Sequence, residues 1–501
     1  MRHAAITETP PYCRPSQAQD DNKAPTYKST AARYGRSGEN WYAAFMRILL
    51  ITSSARGHAI AEALHRSPRK PELISVCANR NPGIRKIATE MYVMNLMDFG
   101  GIIEIAKKTK PDFAVIGPDD PIGAGLADAL AEIGIKSMAP KKSLARIESS
   151  KGFTRNLLAK YNIDVSPKFR VFERTAKSPL DRTEEERLLY TFMTQDLEQQ
   201  YVVKYDALRG GKGVKVSGEH LQNIDEGVQY AMECLDECGR VVIEEKLIGV
   251  EFSLLSFTSG AMTVDMPAVQ DHKRAFEGDT GPNTGGMGTY TDANHSLPFL
   301  HSDDLQRASE INRLVAEALL KECPEHPEGY TGILYGGFIA TKDGVKVIEY
   351  NARFGDPEAL NILPLLTSDF VDICQAIIDG RLTKEMVRFE KKATVCKYIV
   401  PKSYPDAKTE KGMEVTFPKD IPANARLYFG DITEDDSGKL LLGGSRTAGI
   451  VGIGKTLAEA EKIAQELCSK VEGPVRFRTD IGTSALIQKR ISTMQEIRGG
   501  L

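Results

Sequence analysis

Net charge is almost absent from this chain: 65 basic against 68 acidic side chains leave −3 over 501 residues. A nucleic-acid-binding domain normally carries a clustered basic footprint, so recognition of nucleic acid is not expected and any phosphate binding must be local. Long apolar runs are missing too. No stretch approaches the roughly 18 apolar residues that a bilayer-crossing helix needs, and no membrane partner is expected. The eight cysteines (Cys13, Cys77, Cys234, Cys238, Cys323, Cys374, Cys396, Cys468) contain no paired CxxC spacing of the zinc or redox kind. Reduced thiols in a cytoplasmic protein are the expectation. Tryptophan occurs once, at Trp41, and no internal repeat is evident.

Residues 1–45 have few aliphatic side chains and much Pro, Ser, Gln, Asn and Gly, too little apolar surface to order themselves. A flexible tail is expected there. Its acids Asp20, Asp21 and Glu39, and its lack of an apolar segment, argue against a transit peptide or secretory signal. Met46 opens the first strand. The remaining length exceeds one ordinary core and suggests about two to four domains.

From Arg47 to Ile116 the pattern alternates. Strand Arg47 to Ile51 is followed by the polar turn Thr52 to His58 and a helix from Ala59; strand Glu72 to Cys77 and helix Gly100 to Lys108 lead to strand Phe113 to Ile116 and the loop Gly117-Pro118-Asp119-Asp120-Pro121. Such alternation predicts a doubly wound parallel sheet, with ligands at the carboxyl ends of its strands. From Lys151 strands dominate and the expectation becomes α+β. A charged helical insert is expected near Glu184 to Leu197, strands at Tyr201 to Tyr205 and Val241 to Glu245, and a helix over Ile224 to Cys238. Beyond about residue 390, short strands and one amphipathic helix, Leu457 to Val471, read as a separate small α+β domain. The boundaries so placed are 46–149, 150–389 with a mobile lid at about 165–245, and 390–501.

Two motifs carry chemistry. In Glu349-Tyr-Asn-Ala-Arg-Phe-Gly-Asp-Pro-Glu358 a strand ends in a carboxylate and an amide, two residues apart and so on one face. Both oxygens suit one Mg2+, which keeps few protein ligands and takes the rest from water and phosphate. Arg353 follows, with a planar fork for carboxylate or phosphate. The plainer alternative is a helix-start loop in which Asp356-Pro357-Glu358 only caps the first turn. The second motif is Val202-Val-Lys204-Tyr-Asp-Ala-Leu-Arg209-Gly210-Gly211-Lys212-Gly213. Its glycines let backbone N–H groups approach phosphate while Lys204 and Lys212 add charge. It is not a Walker loop, because the G-x-x-x-x-G-K-[S/T] order and the following helix are absent. An ordinary turn remains the alternative.

These residues resemble the ATP-grasp superfamily. Gln270-Asp-His-Lys-Arg274, Asp279-Thr-Gly-Pro-Asn-Thr-Gly-Gly-Met-Gly288 and Arg353-Phe-Gly-Asp-Pro-Glu358 together resemble the phosphoribosylamine–glycine ligase (glycinamide ribonucleotide synthetase) family, most like its archaeal branch. The resemblance runs from about Met46 to Gly482. It implies an ATP-grasp central domain, ATP with Mg2+ or Mn2+ as cofactors, and ligation of glycine to 5-phosphoribosylamine through glycyl phosphate in purine biosynthesis. By the same resemblance Glu349 and Asn351 hold the metal. Lys151, Lys204, Gly210, Gly211, Lys212, Gly213, Glu244, Glu245 and Glu251 bind the nucleotide. Arg353, Lys273, Arg274, Asp279, Asn283 and Thr284 are the catalytic candidates. Arg56, His58, Gly117, Pro118, Asp271, Gly285, Gly286 and Asp356 are the substrate-binding ones. The Asp279 to Gly288 loop, too irregular for strand or helix, would close over the acyl phosphate. His272 is a lone histidine with no proton transfer assigned. A monomer is implied, acting on small molecules, with transient contact with the enzyme supplying phosphoribosylamine.

The first loop departs from the family: Thr52-Ser53-Ser54-Ala55-Arg56-Gly57-His58 lacks two of the usual glycines and a glutamate before the histidine. Asp119 stands where glutamate is common, Gly337 where some archaeal relatives carry glutamine, and Leu360 is also unusual. Rival readings are another ATP-grasp carboxylate–amine ligase and a nucleotide-binding relative without catalysis. Retention of Glu349, Asn351, Lys204 and Arg353 argues against the latter.

Overall fold

Ile48, Leu49, Leu50 and Ile51 are all fully buried, which only a strand covered on both faces permits. In a computed structural model, which describes residues 46–499 except 176, 210–212 and 407, that strand, Arg47–Thr52, lies at the centre of a parallel sheet. The order is Glu90–Val93, Glu72–Cys77, Arg47–Thr52, Phe113–Ile116, Ser137–Met138. Connections leave the central strand in both directions, so its carboxyl end and that of Phe113–Ile116 flank a crevice. The tail, Trp41 and the Gly210, Gly211 and Lys212 expectations lie outside the described residues.

Three larger antiparallel sheets and two two-stranded hairpins follow. The first, Phe169–Glu173, Arg240–Glu245, Tyr201–Tyr205 and Val214–Val216, packs on helices Pro179–Thr191 and Ile224–Cys238. Asn223 caps the second helix by accepting from Glu226 N–H, and Gly239 ends it in the left-handed region, where glycine is unstrained. The second sheet runs Met262–Asp265, Val250–Ser259, Thr331–Thr341, Gly344–Asn351. The third joins Gln270–Asp271 and Gly288–Thr291 to Ala393–Pro401, Ala448–Gly454 and Ala425–Phe429. Chain from the middle of the sequence thus completes a sheet otherwise built from its end. Seven cysteines are free among the described residues, six of them buried.

Two expectations need correction. The helix begins at Ser54, not near Ala59, so Arg56, Gly57 and His58 are helical. The segment from Asp279 is not wholly irregular. Thr280–Asn283 pairs antiparallel with Arg274–Phe276, because Arg274 and Asn283 face each other across a tight hairpin.

Candidate active site

Glu349 sits opposite Gly337 and Asn351 opposite Tyr335 in the paired Thr331–Thr341 and Gly344–Asn351 strands. A Cβ at Gly337 would approach Glu349 Cγ to 3.3 Å, so glycine leaves the carboxylate room. Burial alone would raise the Glu349 carboxyl. Lys273, Lys151, Lys204 and Arg353 outweigh it and hold the group below its usual range. Lys273 Nζ lies 3.7 Å from Glu349 and 3.9 Å from Glu251. Asn351 Oδ1 accepts from Arg353 Nη2 at 3.4 Å. An ionised carboxylate and an amide oxygen fit a hard divalent cation. Among the described residues no group of three or more His, Cys, Asp or Glu could hold a metal, so the remaining ligands would be water and phosphate.

Across from this strand end lies a buried ionic cluster. Arg155 Nε and Nη2 donate to the two Glu244 oxygens at 2.6 and 2.9 Å, and Lys204 Nζ reaches Oε2 at 2.6 Å. Arg155 and Lys204 also both donate to Ile348 O at 3.0 Å, which ties the cluster to the Glu349 strand. Burial pushes the Glu244 carboxyl up, but the two cations hold it near 2. Burial lowers the Lys204 ammonium against the pull of Glu244. Both Glu244 oxygens are therefore engaged by protein, where the resemblance implied nucleotide binding. Glu245 accepts from Lys168 N at 3.1 Å. Lys151 opens a helix capped by Ser150, with Nζ 3.5 Å from Ala207 O. Asp206 receives Gly152 N–H at 2.9 Å, and a Cβ there would press to 2.9 Å of that carboxylate. Gly213 O accepts from Tyr205 N–H at 2.8 Å, at the end of the Tyr201–Tyr205 strand.

On the crevice side Asp356 is the junction. It accepts from Ser54 Oγ at 2.6 Å, from Arg56 N–H at 3.3 Å and from the Tyr398 hydroxyl, while Arg446 Nη1 stands 3.4 Å away. Arg446 also donates to Gly285 O at 2.7 Å, Gly286 O at 3.1 Å and Asp356 O at 2.8 Å, fixing the glycine pair against this aspartate. Ser54 has a φ of +65°, a left-handed conformation that glycine adopts freely, and its bond to Asp356 offsets the strain. Gly117 N donates to Ile51 O at 3.0 Å, which brings Gly117-Pro118 beside this turn. Arg353 pairs with Glu148 at 2.9 Å. Asp271 is pushed well above the usual carboxylate range by burial and then by the charge of Glu358, which itself accepts from the Tyr335 hydroxyl at 2.6 Å. Thr284 donates to Lys273 O through N–H at 2.7 Å and Oγ1 at 2.8 Å, and in turn accepts from Gly286 N–H.

Other candidates are drawn elsewhere. His58 is buried, accepts from Phe429 N–H through Nδ1 at 3.0 Å and stacks on that ring, with burial lowering it to about 3. Its ring fills the space a Gly83 side chain would need. The Asp279 carboxylate is taken by Arg478 at 3.0 Å and by Arg490. Arg274 pairs with Glu219 of the first antiparallel sheet's connecting turn. Glu148, Arg155, Arg446, Arg478 and Arg490 were absent from the sequence reading. Each is a charged residue within an amphipathic helix or a strand-end loop, and only its partner far along the chain distinguishes it.

Three family models cover the chain in order: phosphoribosylglycinamide synthetase N domain over residues 46–148, its ATP-grasp (A) domain over 149–359 and its C domain over 394–484. The chain is 46% identical over 456 residues to the phosphoribosylamine–glycine ligase of Methanococcus vannielii, covering 90% of this chain and 100% of the relative. It is 46% identical over 454 residues to that of Methanosarcina barkeri, covering 91% and 100%. Among solved structures, the phosphoribosylamine–glycine ligase of Thermotoga maritima superposes with a TM-score of 0.71 at 29% identity, covering 87% of this chain and 100% of that one.

Proposed function

The chain belongs to the phosphoribosylamine–glycine ligase (phosphoribosylglycinamide synthetase) family, and from that premise we propose how its residues divide the work. The reaction is the ATP-dependent joining of glycine to phosphoribosylamine, which forms glycinamide ribonucleotide in purine biosynthesis. ATP-grasp ligases use ATP and a divalent metal ion. We take residues 46–149, 150–389 and 390–501 as the working parts, with about 165–245 as the lid over the nucleotide, and the enzyme as a cytoplasmic monomer.

Glu349 and Asn351 would hold Mg2+ or Mn2+, which supplies charge neutralisation at the transferred phosphoryl. Lys151, Lys204 and the Gly210 to Gly213 loop bind the phosphates, and Glu245 and Glu251 lie on the nucleoside side. Glycine carboxylate bonds to the γ-phosphorus as the β–γ bridging bond breaks, giving glycyl phosphate and ADP. The sugar amine then bonds to the acyl carbon, the carbon–oxygen bond to phosphate breaks, and the amine proton is lost to water. Both steps crowd anions together, so cations must converge beforehand. Lys273 and Arg353 do so at Glu349, and their joint field on that carboxylate is the observation that carries this reading. Asp271, with Glu358 beside it, suits the glycine ammonium. Phosphoribosylamine enters between Ser54, Gly117-Pro118 and Gly285-Gly286.

The test is ADP release with ATP, Mg2+, glycine and freshly generated phosphoribosylamine, omitting each in turn. Release that requires glycine and the amine together is expected. Release indifferent to the amine would move the assignment to another carboxylate–amine ligase.

A further inference from the structure

Two arginines from opposite walls of the crevice donate to one oxygen. Arg56 Nη1 lies 2.8 Å from Phe354 O and Arg353 Nη1 lies 3.3 Å from the same atom. Arg56 comes from the first turn of the Ser54–His65 helix, Arg353 from just beyond the Gly344–Asn351 strand. Like charges so close repel: the Arg56 guanidinium is lowered by burial and then by Arg353. The Nε atoms of both are buried with no hydrogen-bond partner, and Arg56 is only 7% exposed. Unmade bonds on buried cations are costly, so a structure that keeps two facing one place points to an absent acceptor. Acids support the pair without capping either Nε. Glu148 takes Arg353 Nη2 at 2.9 Å through Oε1 and Ala352 N–H at 2.8 Å through Oε2, which fixes both the head and the backbone beside it. Asp119 lies in the field of both guanidiniums.

We propose that Arg56 and Arg353 form one oxyanion site, shared between the two walls, for the phosphoryl group in transfer and the phosphate that departs, and that Glu148 is the positioning residue that sets Arg353 in it. This rests on the ligase reading above. The peripheral oxygens of the phosphoryl carry charge throughout both steps, and planar forks match them in pairs. Arg56 then serves the reacting phosphate and not the sugar phosphate of phosphoribosylamine.

The reverse reaction separates these roles, because the reacting phosphate and the sugar phosphate then arrive on different molecules: ADP, inorganic phosphate and glycinamide ribonucleotide yield ATP, glycine and phosphoribosylamine. In the full chain, Arg56→Met is expected to raise KM for inorganic phosphate about tenfold or more, the cost of a lost charge-assisted bond, and to leave KM for glycinamide ribonucleotide within about twofold. A raised ribonucleotide KM with phosphate unchanged overturns the proposal, as does no change in either. If the methionine variant does not fold, Arg56→Lys keeps the charge without the fork, and an unchanged phosphate KM there overturns it equally. Glu148→Gln retains an acceptor for Ala352 N–H and is expected to lower kcat and raise phosphate KM while KM for ADP stays put. A variant that is merely less heat-stable removes Glu148 from the proposal. Wild-type protein that makes no ATP from the three reactants refutes the ligase reading itself, a distinct result.

Discussion

A Cβ at Gly57 would lie 1.7 Å from Thr52 Oγ1, a hydroxyl that is itself buried without a partner. Two departures of the first loop are thus one: threonine at 52 fills the space that any side chain at 57 needs. A helical Gly→Ala change ordinarily gains about 0.5–1 kcal/mol, but here Gly57→Ala is expected to lose about 1–3 kcal/mol by overpacking. Adding Thr52→Gly should recover most of it, as read from denaturant midpoints in a double-mutant cycle; additive losses would show that the positions do not compete. At the metal position, loss of a supporting group around a metal costs about 10–100-fold. Glu349→Gln, which would remove a proposed ligand, is expected to reach at least the upper figure at low Mg2+ with the fold unchanged, and equal turnover there would dismiss the assignment. His58 gives a pH signature. Burial keeps its imidazole neutral down to about 3, whereas the unfolded chain takes up a proton near 6.5. Its contribution to stability is therefore complete above pH 6.5 and is lost as pH falls from there toward 3. Between pH 6.5 and 5 the loss is up to about 2 kcal/mol per histidine, and His272, also held near 3, adds in the same window. His58→Asn, which keeps an acceptor for Phe429 N–H, should flatten the acid limb by one histidine's share in urea titrations at each pH.

The Arg274–Phe276 and Thr280–Asn283 hairpin shows what an element owes to distant chain. Thr479 and Gly278 exchange bonds with Glu277 and Asp480 across it, Arg476 and Arg478 donate to Ala275 O and Arg274 O at 2.9 and 3.0 Å, and Arg490 of the Ser484–Ile497 helix reaches Asp279. Arg490→Met leaves Asp279 only Arg478, so amide exchange over residues 276–283 should quicken while the Ala393–Pro401 strand is unaffected; uniform quickening would mean that the arginine supports the whole fold. Local periodicity was sufficient for elements whose stop signals are local. Tyr201–Tyr205 and Ile224–Cys238 fall where alternation and helical spacing put them, because Asn223 and Gly239 mark the helix ends themselves. It misplaced the first helix start, since Ser54 holds its left-handed turn through Asp356, 302 residues away. It also missed the hairpin, whose glycines and proline read as irregular until Asn283 is set against Arg274. The grouping of Glu349, Asn351 and Arg353 at one strand end was legible from their spacing. Glu148, Arg155 and Arg446 were not, because nothing near them in sequence names the partners that make them matter.

Packing divides the molecule less evenly than its sheets do. The parallel sheet, the Val250 to Asn351 sheet and the one completed by Ala393–Pro401 share two large buried clusters, so Leu49, Phe252 and Val395 belong to one core and Leu50, Leu255 and Cys396 to another. The remaining antiparallel sheet has a core of its own, confined to residues between Phe172 and Ile243. Its polar ties to the rest include the bonds from Lys204 to Ile348 O and from Arg155 to Glu244, which join it beside the Glu349 strand. A unit with a separate small core opens at lower free energy than one inside a shared core. Amides of Tyr201–Tyr205 and Arg240–Glu245 should therefore exchange through a cheaper opening than those of Arg47–Thr52. If ATP with Mg2+ binds between Lys204 and Glu349 as proposed, it adds to that opening the free energy of losing the ligand, about 2.7 kcal/mol at a hundredfold excess over Kd. The protection gained should appear in the Phe169–Glu245 block and leave the parallel sheet's slowest amides nearly unchanged if those amides exchange by openings that keep the nucleotide bound. Equal gains in both blocks would mean that the two blocks open as one, and that the shared strand-end contacts, not the division of cores, set how they open.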